Sequence, residues 1–350
     1  FCIWTGVAVA FLYGVAILLS EPVLFPVLGA KAETWDYLRQ YVFWTIGVGA
    51  VPTVMNAEFA HLIRSEGYSR QAGFGVALGG VLNIALDPLF IFAFRLNIAG
   101  AAVATMLSNV IAMLYFVTFL LRIRKKSVIT LAPKAYSVRC NIPLEVITIG
   151  LSGFVMTMMS TISNTALNHM VARYSNTAIA GMGIAKKIDL LAYAIAQGMT
   201  QGTLPLIGYN YGAGEQERVK KIFRAAFMIV GIIMTAGTLL GELVPDFLMG
   251  LFTQTPSTVE IGRTALRLIS PGFVMSTVSV IASGAFEGLG MGLKSLKISL
   301  MRYAVIIIPI AFVLSRIIGP TGVWHAFWLA ELITAVYAGA SWKRTITVSL

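Results

Sequence analysis

The stretch VLNIALDPLF (residues 81–90) decides how this sequence is read, because it sets polar groups inside an apolar segment. Asn83 and Asp87 are four residues apart, so on a helix they lie on one face. Pro88 has no backbone N–H, which leaves the carbonyl of Ile84 without its helical partner and tends to kink the helix. A carboxylate, an amide and a freed carbonyl offer the oxygen ligands that a hard cation prefers.

The composition around this stretch is that of a membrane protein. Hydrophobic residues make up 57% of the chain, charged residues make up 12%, and the mean hydropathy is +0.82. A soluble core cannot absorb so much apolar surface, since an average soluble domain is about 25% charged. The net charge of +11 is then explained by basic cytoplasmic loops, and no nucleic-acid partner is expected. Two cysteines and three scattered histidines form no disulfide framework or metal motif.

Runs of about 20 apolar residues predict membrane-spanning helices. Ten such runs are found, at roughly 1–28, 38–62, 71–95, 98–121, 143–172, 178–208, 221–250, 261–286, 293–316 and 320–341. Lysine and arginine are concentrated in alternate connections, so both chain ends are predicted to face the cytoplasm. The long polar stretch between the fourth and fifth runs predicts a division into an N-terminal lobe (1–126), a linker (127–141) and a C-terminal lobe (142–350).

The second half of the sequence also repeats features of the first half. At an offset of 221 residues the matched pairs are Glu21 with Glu242, Glu66 with Glu287, Gly67 with Gly288 and Pro88 with Pro309. At an offset of 222 they are Gly100 with Gly322, Ala104 with Ala326, Tyr115 with Tyr337 and Arg122 with Arg344. Ordered matches of this kind along four helices predict an internal duplication.

The duplication predicts two six-helix lobes. Residues 142–221 have no partner in the first half, so two further helices are expected before Phe1, giving twelve in all. Six helices per lobe give both lobes the same orientation, with a cleft between them. The fold class predicted is therefore an all-α polytopic bundle of two pseudo-symmetric lobes, with the first lobe truncated to four helices.

The repeat separates the proline of the opening stretch from its polar groups. Pro309 matches Pro88, so a kink at both prolines is predicted to be architectural. The positions of Asn83, Asp87 and Thr105 are filled in the second half by Ala304, Ile308 and Phe327. Symmetric folding therefore does not require the polar trio.

A charged Asp87 within a membrane helix would cost about 3 kcal/mol. It is therefore expected to hold a proton or a cation such as Na⁺, with Asn83 and Thr105 as neighbours. Moving one charge across about 100 mV is worth roughly 2.3 kcal/mol, so occupancy of this site could drive a two-state change. The alternative is an aspartate paired with a neighbouring helix for packing alone.

Other polar residues within the runs are weaker candidates for a substrate pathway. Lys186 and Asp189 are three residues apart in the run 178–208 and could equally form a local ion pair. Glu58, Gln197 and Met158 complete this predicted set, with Glu58 alternatively a cap near a membrane surface. Few basic residues are expected in mid-span beyond Lys186 and its neighbour Lys187.

Several stretches resemble the MATE (multidrug and toxic compound extrusion) transporters. LNIALDPLFIF followed by GAAVAT resembles their fifth and sixth helices, QGTLPLIGYNYGAGEQERV the end of their eighth and the loop after it, and GPTGVWHAFWLAE the start of their twelfth. The resemblance runs in order along essentially the whole chain, from a third helix to a twelfth. It implies a monomeric antiporter in the cell membrane that exports organic, often cationic or amphipathic, compounds in exchange for protons or sodium, without a cofactor.

The resemblance also implies roles for individual residues. Asn83, Asp87 and Thr105 match the cation site that some members carry in the N-terminal lobe. An aspartate of the first helix that shares this site is not in the chain. Other members use a glutamate on the seventh helix and an aspartate on the tenth, but the stretches TIGLSGFVMTMMSTISN and SPGFVMSTVSVIASGAF have no carboxylate. No cation site is therefore expected in the C-terminal lobe.

Two other functions compete with antiport. The first is a flippase for a lipid-linked sugar, which a basic central cavity would favour. The second is a membrane-embedded enzyme, which predicts histidine, aspartate or serine clustered at one depth; the isolated trio at Asp87 argues against it.

Overall fold

The computed structural model describes residues 1–27, 32–136 and 141–349. These residues form helices and no β-strand, so the predicted all-α membrane fold is confirmed. The α-helices are α1 Cys2–Val27, α2 Trp35–Val42, α3 Ala50–Ser65, α4 Ser69–Pro88, α5 Asn97–Ile123, α6 Ile142–Ala172, α7 Asn176–Gly212, α8 Gln216–Leu243, α9 Pro245–Gly250, α10 Pro256–Ile269, α11 Pro271–Gly288, α12 Gly292–Leu300, α13 Ile307–Ile318 and α14 Pro320–Ser349. Turns of π-helix lie at Phe43–Val48, Leu89–Ala93 and Met301–Ile306.

Length and apolarity support most of the predicted spans. In the described part of the chain, six helical segments are long and apolar enough to cross a membrane, and two bent helix pairs bring the number to eight. The two remaining predicted runs, 178–208 and 320–341, coincide with α7 and α14, of 37 and 30 residues. Polar side chains such as Lys186, Asp189 and Glu331 lower the hydropathy of these two helices.

Large apolar side chains are exposed on the long helices. On α1, Phe11, Leu12 and Leu19 are 60%, 64% and 78% exposed. In water such surface would drive aggregation, but in a bilayer the hydrocarbon tails cover it. Exposed apolar faces of this kind are expected of a multi-pass membrane protein, whose outer helices contact lipid.

The contacts divide the chain into two units, Phe1–Val146 and Ile147–Leu350. The core of the first unit forms where α3, α4 and α5 pack together, around Met55, Ile63 and Phe116. The second unit has a larger core in which α7 packs against α8, α10 and α11, and α14 packs against α11 and α13. Of the predicted linker, residues 137–140 lie outside the described residues.

Positions related by the repeat have the same local role in each unit. A Cβ added to Gly100 would lie 2.7 Å from the carbonyl oxygen of Phe90, and one added to Gly322 would lie 2.2 Å from that of Leu314. Each glycine thus lets the start of a helix pack closely against the segment before it.

The two repeated prolines both lie beside a π-helical turn. Pro88 ends α4 directly before the turn Leu89–Ala93, and Pro309 is the third residue of α13, after the turn Met301–Ile306. A π turn changes the hydrogen-bond register by one residue, and such irregularities accompany prolines inside helices. The architectural role of the two prolines remains a prediction.

Candidate functional site

The first unit brings the predicted polar trio together. The Nδ2 of Asn83 on α4 donates to the Oδ1 of Asp87 at 3.3 Å and to the Oγ1 of Thr105 on α5, also at 3.3 Å. The Thr105 hydroxyl donates in turn to the carbonyl of Ala101 at 2.9 Å, which leaves its oxygen lone pairs free to accept. All three side chains are half-buried. One amide therefore bridges a carboxylate and a hydroxyl on neighbouring helices.

In the part of the chain that the structure describes, the Asp87 carboxylate is balanced by the Asn83 amide dipole and by no cation. Among the described residues no lysine, arginine or histidine forms an ion pair with this carboxylate. The Oδ2 of Asp87 and the Oδ1 of Asn83 accept no hydrogen bond from any described residue. These two oxygens and the Thr105 hydroxyl can serve as ligands for a hard cation, with water completing the shell.

Two asparagines that the sequence analysis missed extend this polar system. Asn109, one helical turn beyond Thr105, donates its Nδ2 to the Thr105 carbonyl at 3.1 Å. Asn56 on α3 donates its Nδ2 to the Oδ1 of Asn109 at 3.0 Å, and its own buried Oδ1 has no partner among the described residues. The four-residue spacing between Thr105 and Asn109, which places both on one helical face, could have identified Asn109 from the sequence. The polar path therefore crosses α4, α5 and α3.

Glu58, predicted for a substrate pathway, lies against α1. A Cβ added to Gly6 would lie 2.2 Å from its Oε2, so the glycine provides the space for this carboxylate. The Oε1 is buried without a hydrogen-bond partner among the described residues. A carboxylate held this way is positioned by packing, and its role in transport remains a prediction.

The second unit contains a cavity of about 540 Å³ that we call the glutamine cavity. Gln197 lines it and donates to the Tyr193 hydroxyl at 2.7 Å. Glu287 also lines it and accepts from the Ser295 hydroxyl at 2.7 Å. Met158 does not line it and is 42% exposed, whereas its neighbour Met156 does. Of the predicted pathway residues, only Gln197 therefore lines this cavity.

A second cavity of about 440 Å³ in the same unit holds most of the buried charge, and we call it the lysine cavity. The charged residues that line it are Lys186, Lys187, Asp189, Arg302 and Glu331. The Lys186 ammonium donates to the Oδ1 of Asn164 on α6 and lies 5.3 Å from the Phe327 ring centroid. Two predicted pathway residues, Lys186 and Asp189, thus meet in one cavity.

Arg302 is the residue that the sequence analysis missed most clearly. It lies in the middle of the run 293–316, where few basic residues were expected, and that expectation is corrected here. Its guanidinium forms an ion pair with Glu331 on α14, and the two side chains are only 15% and 12% exposed. The arginine in SLMRYAVIIIPI was visible as the one charge in an apolar stretch. Its partner is Glu331, to which the sequence analysis assigned no role.

Arg302 and two tyrosines separate the two cavities. Its guanidinium carbon lies 5.5 Å from the ring centroid of Tyr193 and 5.1 Å from that of Tyr303. All three residues line both cavities. A fixed cation between aromatic faces therefore forms their shared wall.

The charge pattern differs between the two units. The first has an unpaired carboxylate, whereas the second has a buried ion pair and further lysines. No group of three or more histidine, cysteine, aspartate or glutamate residues suited to a metal is present within the described ranges. The oxygen ligands offered in the first unit are of the kind that hard cations prefer over soft transition metals.

Comparisons with known proteins point to one family. The MatE family model matches residues 153–313. Multidrug export protein MepA of Staphylococcus aureus (strain bovine RF122 / ET3-1) is 27% identical over 338 residues, which cover 97% of this chain and 74% of that protein. The MepA of Staphylococcus saprophyticus matches to the same extent.

Solved structures agree on the fold. A crystal structure of MATE in complex with MaL6 has a TM-score of 0.92 at 24% identity, covering 99% of this chain and 78% of that one. An outward-facing multidrug resistance MATE family transporter of the MOP superfamily also has a TM-score of 0.92 at 24% identity, with 99% and 77% covered.

Proposed function

We propose that this chain is a MATE-family transporter and that it exports small organic compounds across the cell membrane by antiport against protons or sodium ions. The MatE model over residues 153–313 and the MepA relatives support this proposal. The observation that carries the coupling step is the meeting of Asn83, Asp87 and Thr105 in the first unit. Multidrug export by the MepA relatives supports small organic compounds as the exported class. That these compounds are cationic or amphipathic is part of the proposal.

The trio supplies a site with two distinct states. When Asp87 is charged, the Asn83 amide stabilises it by donating to Oδ1. When a proton or Na⁺ arrives, the carboxylate no longer needs that donor, and Asn83 can turn its own oxygen toward the ion. Ion binding then changes the link between α4 and α5 that runs through Thr105. A ligand shifts a conformational equilibrium only through such differential contacts.

The energy available is sufficient for coupling. Neutralising a carboxylate at membrane depth removes a penalty of about 3 kcal/mol. Transfer of one charge across a membrane potential of about 100 mV contributes roughly 2.3 kcal/mol. Either amount is large compared with thermal energy, so one ion per cycle can bias an alternating-access transition.

The test uses the complete protein expressed in bacteria that lack their own drug efflux pumps. We expect Asp87→Asn to abolish ethidium efflux, because the amide can neither bind a proton nor neutralise a sodium ion. Asp246→Asn is the matched control, since Asp246 is an exposed carboxylate paired with Arg263 at 2.7 Å. Full efflux by Asp87→Asn, with normal protein in the membrane fraction, would refute the coupling role.

Reconstitution identifies the coupling ion. The complete protein in proteoliposomes is given either a proton gradient or a sodium gradient, and dye movement is followed. The gradient that drives transport in the wild type should lose its effect in Asp87→Asn.

The flippase for a lipid-linked sugar remains the second candidate, because one observation favours it. Lys186, Lys187 and Arg302 line one cavity, which is more basic than the sequence analysis expected. Transfer of a fluorescent polyprenyl-linked sugar between leaflets, in the same proteoliposomes, would distinguish this function from drug export.

A further inference from the structure

The lysine cavity carries an excess of positive charge. Three basic side chains line it, Lys186, Lys187 and Arg302, against two carboxylates, Asp189 and Glu331. Buried charges are normally paired, because an uncompensated charge in a medium of low dielectric constant is costly. Lys187 is exposed, so the two half-buried cations and the two half-buried carboxylates are equal in number. A ligand's negative charge would therefore be met by the half-buried cation that forms no ion pair.

Arg302 and Glu331 already satisfy one another. They form a buried ion pair, and the second carboxylate oxygen of Glu331 also accepts from the Ser279 hydroxyl at 3.4 Å. Arg302 is further held between the rings of Tyr193 and Tyr303. This ion pair is a fixed part of the cavity wall. Lys186, Lys187 and Asp189 are therefore the charged residues that remain to contact a ligand.

Lys186 is the half-buried cation of this cavity that forms no ion pair in the described part of the chain. Its ammonium contacts a neutral amide oxygen, that of Asn164, and an aromatic face, that of Phe327. Among the described residues it makes no ion pair, although Asp189 lies one turn along the same helix. Lys187 lines the same cavity from an exposed position and raises the positive potential there.

Several hydrogen-bond donors line the same cavity as the Lys186 ammonium. Ser160, Ser163, Asn164 and Asn168 all line the cavity from α6, and their spacing places them on one helical face. The Oδ1 of Asn164 is occupied by Lys186, so its Nδ2 is left to donate. An acidic group beside the ammonium could accept from these amides and hydroxyls as well.

The rest of the cavity suits an apolar body. The apolar side chains that line it include Leu167, Met234, Ile269, Phe273, Ile307 and Phe327. A volume of about 440 Å³ lies in the range of pockets for drug-sized molecules, which combine apolar walls with a few polar groups.

The repeat shows that folding does not demand the two charges of the ion pair, Arg302 and Glu331. Arg302 corresponds to Val81 in the first half, and Glu331 corresponds to Asn109. Lys186 and Asp189 lie in the segment that has no counterpart there. Like Asp87, Arg302 and Glu331 therefore have no charged counterpart in the other half, which is the pattern expected of a functional site.

We propose that the lysine cavity binds the acidic group, a carboxylate or a phosphate ester, of an amphipathic compound that this transporter moves, with Lys186 as the counter-charge. This inference rests on the proposed export function and names a substrate class for it. Asp189 on the same wall repels a second acidic group, so the ligand carries one acid, alone or together with an amine. The acid belongs either to a free organic acid or to a lipid phosphate.

The test measures binding to the complete, purified protein in lipid nanodiscs. The free-acid probe is dansylglycine, and its matched neutral control is dansylglycinamide. The lipid probe is undecaprenyl phosphate, compared with undecaprenol. We expect one acid to bind roughly tenfold or more tightly than its neutral partner, because a charge-assisted contact is lost in the neutral compound.

Variants assign that preference to Lys186. Lys186→Met should remove the preference for the acid, Lys186→Arg should retain it, and Lys221→Met, at an exposed position on α8, should leave it unchanged. A preference for dansylglycine identifies a free acid, and one for undecaprenyl phosphate identifies a lipid. Equal binding of acid and neutral probes by the wild type would overturn the proposal, as would an undiminished preference in Lys186→Met.

Failure of this proposal can be told apart from failure of the proposed function. Probe binding needs no ion gradient, so it is independent of the loss of efflux in Asp87→Asn. Thermal unfolding of each variant shows whether the protein is folded. Loss of acid preference in a folded Lys186→Met protein that keeps its affinity for the neutral probe can only reflect the missing charge.

Discussion

Removal of Arg302 should destabilise the protein strongly, and removal of its partner should reverse most of that effect. Arg302→Met deletes the guanidinium and keeps an apolar side chain of moderate length. Glu331 then remains nearly buried, at 12% exposure, with the Ser279 hydroxyl as its remaining hydrogen-bond partner in the described part of the chain. The double variant Arg302→Met/Glu331→Gln removes the unpaired charge as well.

The size of the effect follows from burial. Breaking a buried ion pair on one side costs about 3–5 kcal/mol, chiefly because the other charge is left uncompensated. Loss of the contacts with Tyr193 and Tyr303 costs about 0.5–1 kcal/mol each. The double variant should recover the first amount and not the second, so it should remain about 1–2 kcal/mol less stable than the wild type.

The assay is thermal unfolding of the complete protein in detergent micelles, followed by tryptophan fluorescence at one scan rate. Arg302→Met should lower the midpoint by roughly 5 °C or more, and the double variant should restore most of that shift. Arg263→Met is the control, because its ion pair with Asp246 is 41% and 57% exposed and should contribute little. A double variant no more stable than Arg302→Met would refute the reasoning, since the uncompensated carboxylate would then not be the cause.

Two further predictions concern packing and the polar trio. Gly322→Ala should lower the unfolding midpoint in the same assay, because the added Cβ would lie 2.2 Å from the Leu314 carbonyl oxygen. Gly202→Ala is the control and should leave the midpoint unchanged, because no neighbouring atom lies within 4 Å of the Cβ that it adds. Equal midpoints for the two variants would contradict the close approach at Gly322. Thr105→Val should weaken ion-driven ethidium efflux roughly tenfold, since it removes the hydroxyl bonded to Asn83 at 3.3 Å but keeps the shape. Efflux at the wild-type rate would exclude a role for this hydroxyl.

The two units use opposite solutions for polar groups in an apolar surrounding. In the first, Asp87 is stabilised by an amide and keeps an oxygen without a partner among the described residues. In the second, Arg302 and Glu331 neutralise each other, and a lysine is left over. A transporter with a cation site in one unit and an acid-binding cavity in the other would keep its coupling ion and its substrate on different residues.

Most of the fold could be predicted from the sequence. Each predicted run coincides with one helix or a bent pair, because lipid requires that every backbone polar group be bonded within the helix. The apolar pattern reveals such segments without any knowledge of their neighbours. The trio was predicted for a similar reason, since Asn83 and Asp87 share a helical face and Thr105 lies on the next helix.

The sequence reading failed where contacts join distant segments. Arg302 and Glu331 are 29 positions apart in numbering, and no local pattern pairs them. Asn56 and Asn109 are separated by 53 positions. Gln197 and Met158 looked equally suitable for a pathway, yet Gln197 lines a cavity and Met158 does not, because the direction of a side chain depends on how its helix is rotated in the packed bundle.

The sequence by itself determined that this chain is a helical membrane protein with an internal repeat, and it located one polar cluster that the repeat does not require. Hydropathy and periodicity are properties of the linear sequence, so they can be recognised without knowing which segments are neighbours in the fold. Only the tertiary structure decided which polar groups are satisfied and which are left open. Hydrogen bonds and ion pairs form between neighbouring helices. Among the described residues, packing therefore left Asp87 without an ion-pair partner, joined Arg302 to Glu331, and gave Lys186 an amide in place of a carboxylate.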